Sequence, residues 1–206
     1  MIERTLATKL ISLAKKFQVI TLTGPRQSGK TTLVRATFPN LPYVSLEEPD
    51  IRQIALTDAR GFLANYPKGA ILDEIQNTPD LFSYIQKLVD ENRKIQFILT
   101  GSSNFLLMEK IGQTLAGRTA ILHLLPLSFA ELKPDAGQYE SLIFKGQYPR
   151  IYDRDIDPTD FYPAYIQTYV EKDVRLMKNI GDINSFIQFT QLCAGRIGQL
   201  LNYASL

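Results

Sequence analysis

Val19-Ile20-Thr21-Leu22-Thr23-Gly24-Pro25-Arg26-Gln27-Ser28-Gly29-Lys30-Thr31-Thr32 decides how this chain is read. An apolar run, expected to be a buried strand, ends at Gly24. Gly24 to Thr31 then match G-x-x-x-x-G-K-[ST]. Lys30 to Phe38 reads as a helix that Pro39 stops. A strand, a glycine-rich turn and a helix in this order place free backbone N–H groups at a helix N-terminus, where the dipole favours an anion such as a polyphosphate. Gly24 and Gly29 are expected to allow close backbone approach, with Pro25, Arg26, Gln27, Ser28 and Thr32 completing the cradle. Lys30 is expected to reach β- and γ-phosphates, and the Thr31 hydroxyl to ligate Mg²⁺. Arg26 is expected to face solvent or a partner rather than the γ-phosphate.

Further along, Ala70-Ile71-Leu72-Asp73-Glu74 ends an apolar strand in two carboxylates. Asp73 is expected to hold Mg²⁺ through water, and Glu74 to orient or activate an attacking water. Ile95-Gln96-Phe97-Ile98-Leu99-Thr100-Gly101-Ser102-Ser103 is another apolar strand with a hydroxyl-rich end. In this it resembles the corresponding strand of ATPases that carry a Glu after such an Asp, and the resemblance implies that it inserts between the strand of the glycine-rich turn and the Asp73 strand. Its tip would then face the γ-phosphate, with Ser102 the choice for that contact and Thr100 and Ser103 as alternatives. A serine-rich turn capping the next helix explains the same residues equally well. Arg118 precedes the last strand and is expected at the C-terminal rim of the sheet, where ligands bind in open parallel sheets. There it would stabilise transition-state charge in cis or on a neighbouring subunit, unless it is an ordinary surface arginine.

Around these stretches, residues 4–17 read as an amphipathic helix through Leu6, Leu10, Leu13 and Phe17. Tyr43 to Leu46 reads as a strand, 50–65 as a helix broken near Asp58, and the segment after Pro79 as a helix with Leu81, Ile85 and Leu88 on one face. A short helix over Phe105 to Ile111 and a strand over Ala120 to Leu125 follow, the strand carrying His123 as a core residue. Strands alternating with helices predict an α/β fold, a three-layer sandwich with a five-stranded parallel sheet covered on both faces. After Leu127 the pattern changes. Ser128 and Glu131 have capping-box spacing, a polar loop spans Pro134 to Glu140, and helices are expected at Ala164–Met177 and Ile183–Tyr203. Two domains are expected, 1–135 and a helical region over 136–206, with a soft boundary at 135–160 where Gly146, Pro149, Pro158 and Pro163 interrupt the periodicity.

Composition narrows the class without choosing a partner. The 23 basic and 21 acidic side chains nearly cancel, so no basic excess marks a nucleic-acid surface. Cys193 is the sole cysteine, which excludes an intramolecular disulfide and fits a reducing compartment. Met1-Ile2-Glu3-Arg4 leads into an amphipathic pattern rather than a signal peptide. No apolar run approaches the roughly 20 residues that span a bilayer. A soluble cytoplasmic protein, without a membrane partner, is expected. His123 is the only histidine, and no His/Cys cluster offers a zinc site.

Taken together, the sequence resembles a prokaryotic family of AAA+-like P-loop ATPases that carry a C-terminal domain of unknown function. The likeness is carried by Leu22 to Thr31, Leu72-Asp73-Glu74-Ile75-Gln76, Leu99 to Ser103, Leu115-Ala116-Gly117-Arg118-Thr119, Leu125 to Leu132, Gly146-Gln147-Tyr148-Pro149 and Tyr169 to Val174. It implies ATP binding and hydrolysis, with Lys30, Thr31, Asp73 and Glu74 in the roles above. Members of such a family continue into a winged-helix-like segment. The chain stops at Ser205-Leu206 about where that segment would begin, so a truncated form is expected. A homo-oligomer, or a nucleic-acid or protein partner engaged through the further region, follows only from the resemblance.

Three functions compete on these residues: an ATPase whose turnover drives conformational change, a nucleotide-gated switch, and a small-molecule kinase. Glu74 and the lack of an Arg-rich lid disfavour the kinase. The absence of Asn-Lys-x-Asp disfavours a guanine-nucleotide switch.

Overall fold

The computed structural model describes residues 2–102, 112–134, 137–169 and 182–200. At its centre, β1 (Val19–Gly24) and β4 (Phe97–Ser102) are buried along their whole length. So is β3 (Ile71–Asp73). Residues buried on both faces read as continuous apolar runs rather than alternating ones, which is why these strands were visible in the sequence. With β2 (Tyr43–Ser45) and β5 (Thr119–His123) they form a five-stranded sheet in the order β2-β3-β4-β1-β5. Every pairing is parallel. The strand from Phe97 therefore lies between β1 and β3, as expected.

Parallel neighbours need crossovers, and helices supply them on both faces. On one face α1 (Leu6–Ala14) and α2 (Lys30–Thr37) bring Leu10, Leu33 and Val34 against Ile20, Leu22, Ile71 and Ile98. On the other, α3 (Pro49–Thr57), α4 (Ala59–Ala64) and α5 (Leu81–Glu91) cover Val19, Leu72, Phe97 and Leu99 with Ala55, Phe62, Phe82 and Ile85. Fully burying one such Leu, Ile or Phe side chain contributes about 1.5–3 kcal/mol. The expected break at Asp58 is real: this residue ends α3, and its carboxylate accepts a 2.8 Å hydrogen bond from the Gly61 N–H at the start of α4.

Three expectations are corrected. His123 is exposed rather than in the core, because β5 is an edge strand and Ile121 and His123 share its outer face. Helices Tyr139–Lys145 and Pro149–Arg154 occupy a stretch read as loop and interruptions. Pro149 begins the second of them, where a missing N–H costs nothing. The helix expected at 164–177 begins earlier, at Pro158, and carries Pro163 inside it. Its expected continuation past Tyr169 lies outside the described residues, as does the helix at Phe105 to Ile111. The last helix runs Ile183–Ala194 and is capped by Asp182, whose carboxylate accepts from the N–H groups of Asn184 and Ser185. The Ser128–Glu131 capping box is present.

The chain divides into two compact units, Met1–Asp155 and Ile156–Leu206. Among the described residues no helix is long and apolar enough to cross a membrane.

Candidate nucleotide-binding site

The loop joining β1 to α2 has a backbone set by three left-handed residues. Gly24 has φ 151°, Gln27 φ 61° and Gly29 φ 91°. At Gly24 the demand comes from a neighbour: a side-chain carbon there would collide with the Leu124 carbonyl oxygen at the end of β5. Gln27 holds a positive φ despite its Cβ, a cost on the order of 1–3 kcal/mol, of the kind that clusters at ligand clamps. Alternating backbone handedness turns successive N–H groups inward and makes a concavity suited to an anion.

Lys30, first residue of α2, is buried, and its ammonium folds back into the loop. Nζ donates to the carbonyl oxygens of Gly24 at 3.0 Å and Pro25 at 2.9 Å. Ser28 Oγ is buried in the same loop without a hydrogen-bond partner. A buried hydroxyl left unsatisfied costs about 1–3 kcal/mol, and a phosphate oxygen of a bound nucleotide would satisfy it. The loop therefore fits the group its sequence implies. Pro25, Arg26 and Gly29 are partly buried, and Gln27 and Thr32 are exposed.

Asp73 closes β3 and draws three hydroxyls. Thr31 Oγ1 and Tyr43 OH each donate to its Oδ2 at 2.8 Å, and the Thr100 hydroxyl donates to Oδ1. Thr31 and Asp73 are thus joined by tertiary structure across 42 positions of sequence. A carboxylate beside a threonine hydroxyl is an oxygen donor set that suits Mg²⁺. Tyr43 carried no signal in the sequence beyond opening a strand. Burial, then the hydrogen bond and the charge of Asp73, push its phenol up to about 12, so it stays a proton donor at neutral pH.

Glu74 follows Asp73 in the left-handed region, at φ 56° and ψ 46°, which turns it off the line of the strand. The Gln76 amide Nε2 donates to the Glu74 carboxylate and lies 3.4 Å from Ser102 Oγ. Ser102 pairs in register with Gly24, at the height of the phosphate loop. One amide therefore links two residues singled out separately in the sequence. Thr100 is committed to Asp73 instead, and Ser103 lies outside the described residues.

Arg118 requires a correction. It precedes Thr119, which pairs with Val19 at the N-terminal end of β1, whereas the phosphate loop leaves the C-terminal end. At about 3.3 Å per residue the two ends of β1 are roughly 16 Å apart, so Arg118 cannot act on a nucleotide held by its own loop. It grips Asp90 instead, Nε to Oδ1 at 2.7 Å and Nη2 to Oδ2 at 2.9 Å. That hydrogen bond holds the Asp90 carboxyl below its ordinary value.

Residues 16–133 match the family model described as AAA domain. This chain is a member of the AAA domain family. Residues 136–206 match a second family, a domain of unknown function (DUF8612). The AAA domain chain is 29% identical over 175 residues to the uncharacterized protein Rv2008c of Mycobacterium tuberculosis, covering 83% of this chain and 39% of that protein. It is 31% identical over 140 residues to the uncharacterized protein MJ1544 of Methanocaldococcus jannaschii, covering 63% and 30%. The chain spans about two fifths or less of the length of these curated relatives. Among solved structures, the Walker-type ATPase PABY2304 of Pyrococcus abyssi shares the fold, with a TM-score of 0.53 at 16% identity over 95% of this chain and 77% of that one.

Proposed function

We propose that this AAA domain binds ATP with Mg²⁺ and hydrolyses it to ADP and phosphate, coupling turnover to conformational change. The observation that carries the reading is the hydrogen bond from Thr31 to Asp73 beneath a loop already holding the Lys30 ammonium. In that arrangement the N–H groups of Gly29, Lys30, Thr31 and Thr32 would donate to phosphate oxygens, and Lys30 would exchange its carbonyl partners for the β- and γ-phosphates. Thr31 and Asp73 would hold Mg²⁺, Asp73 through water, and the ion when bound would neutralise charge on those phosphates. Glu74 orients the attacking water and accepts its proton, while Ser102 contacts the γ-phosphate. Arg118 belongs to this mechanism only in trans, offered to a neighbouring copy in a homo-oligomer. The reading places the protein in the cytoplasm and leaves a nucleic-acid or protein partner to the longer relatives' remaining length.

A nucleotide-gated switch with slow hydrolysis is the second reading. It is favoured by the Gln76 amide, which engages the Glu74 carboxylate that would otherwise address water. Calorimetry and phosphate release on the same preparation separate the two. For the ATPase, wild type gives binding heat and steady turnover, Lys30→Ala loses both, and Glu74→Gln keeps the heat but loses turnover by about 10²-fold or more. Tight binding with turnover equal in wild type and Glu74→Gln supports the switch. No binding heat from wild-type protein with ATP and Mg²⁺ overturns both.

A further inference from the structure

Outside the residues that would touch nucleotide, one buried cation reaches the phosphate loop from behind. Arg4 precedes α1, and its side chain is 9% exposed. Its Nη1 donates to the Ser28 carbonyl oxygen at 2.7 Å. Nη2 donates to the carbonyl of Leu125 at 2.6 Å and to that of Pro126 at 3.3 Å, while Nε meets Glu131 Oε1 at 3.1 Å. Glu131 is fixed in turn by the Thr5 N–H at 2.8 Å, the Thr5 hydroxyl at 3.1 Å and the Ser128 N–H at 2.8 Å. The guanidinium therefore has no freedom to turn. Every nitrogen is committed, and its carboxylate partner is anchored by backbone.

The consequence lies in one peptide plane. In a trans peptide the C=O and the following N–H point in opposite directions. Pulling the Ser28 carbonyl toward Arg4 aims the Gly29 N–H the other way, away from the guanidinium. Gly29 has a positive φ and no Cβ, so a flip of the Ser28–Gly29 peptide meets little steric resistance. A flipped plane would present a carbonyl oxygen, and hence repulsion, to a phosphate. A charge-assisted bond of 2.7 Å opposes that flip.

We propose that Arg4 is a positioning residue for nucleotide binding: it holds the Ser28–Gly29 peptide with its N–H toward the phosphates. The proposal rests on the nucleotide-binding reading above. It makes Arg4 matter for affinity rather than for the chemical step, since it acts through the loop backbone and touches neither water nor Glu74.

The test compares wild type, Arg4→Met, Arg4→Lys and Glu131→Gln in the full chain, with ATP–Mg²⁺ as probe. Arg4→Met should raise Kd and KM about tenfold, with kcat at saturation within about twofold. Arg4→Lys, able to reach one carbonyl only, should fall between it and wild type. Glu131→Gln loosens the same junction but leaves the bond to Ser28, so its melting temperature should fall while Kd stays within about twofold. In amide-resolved NMR of the nucleotide-free protein, the Gly29 N–H should shift in Arg4→Met and not in Glu131→Gln. Unchanged affinity in Arg4→Met overturns the proposal, as does equal weakening in Arg4→Met and Glu131→Gln. If Arg4→Met does not fold, wild-type affinity in a folded Arg4→Lys overturns it equally. Absence of binding by wild type itself would instead sink the nucleotide-binding reading.

Discussion

Asp73 is the residue on which the proposed Mg²⁺ site turns, and its surroundings explain how one carboxylate is aimed. Two of its three hydroxyl donors, Thr31 and Thr100, come from stretches the sequence marks for phosphate chemistry; the third, Tyr43, comes from the edge strand. The Tyr43 ring is held by Arg35, whose guanidinium carbon sits 4.6 Å from the ring centroid. Removing the Tyr43 hydroxyl leaves Oδ2 held by Thr31 alone, with Thr100 still on Oδ1, so the carboxylate is aimed at the loop less firmly. Tyr43→Phe should therefore weaken Mg²⁺ binding about tenfold, leaving nucleotide binding in the presence of EDTA unaltered. Titration of Mn²⁺ followed by electron paramagnetic resonance reads the first effect directly. Equal Mn²⁺ affinity in wild type and Tyr43→Phe would show that Asp73 needs no help from the edge strand.

At the scale of elements, the junction that matters is where the start of α1, the phosphate loop and the segment after β5 meet. Glu131 ties them together, serving at once as the reciprocal partner of the Ser128 capping box and as the acceptor for Thr5 and Arg4. Burial alone would raise its pKa. The N–H groups of Ser128 and Thr5, then the Arg4 guanidinium, outweigh that and hold it at about 2, against an ordinary 4.5. A carboxyl depressed in the folded state adds stability that is complete above the ordinary value and is lost as pH falls through the folded one. The difference in melting temperature between wild type and Glu131→Gln should be constant above about pH 5 and shrink between pH 4.5 and 2. A difference independent of pH across that window would mean the junction is held by shape rather than charge. The same junction shows why Gly24 is glycine: the backbone of Leu124 passes too close for any side chain.

For the whole molecule, strand order determines which residues share an edge of the sheet. Placing β4 between β1 and β3 brings Ser102 level with Gly24 and lets Gln76 bridge Ser102 to Glu74. The parallel register of β5 on β1 sends Arg118 to the opposite edge. A part in hydrolysis for Arg118 therefore requires a second copy. Arg118→Ala should leave ATP affinity unchanged, and should lower turnover per chain only at protein concentrations where wild-type turnover rises with self-association. Turnover lost equally at every dilution would remove the trans role.

The fold class and most elements of the AAA domain were legible, because the apolar runs ending at Gly24, Asp73 and Ser102 are each contiguous and buried on both faces. Helices Tyr139–Lys145 and Pro149–Arg154 were not, since each is short, and proline and glycine flank them where periodicity would have shown. His123 was misread because an apolar strand on the sheet edge looks, in one dimension, like one at its centre.

The linear order of residues is enough to specify the phosphate loop, because its chemistry is packed into eight consecutive positions, Gly24 to Thr31, whose spacing survives however the chain folds. It likewise placed acids at the end of one strand and hydroxyls at the end of another. Folding in three dimensions is what gives Tyr43 and Thr100 to Asp73, joins Glu74 to Ser102 through Gln76, brings Arg4 to the back of the loop and carries Arg118 away from it. Each of those depends on strand order, register and crossover, which arise from burying both faces of one sheet and leave no mark on neighbouring residues in the chain.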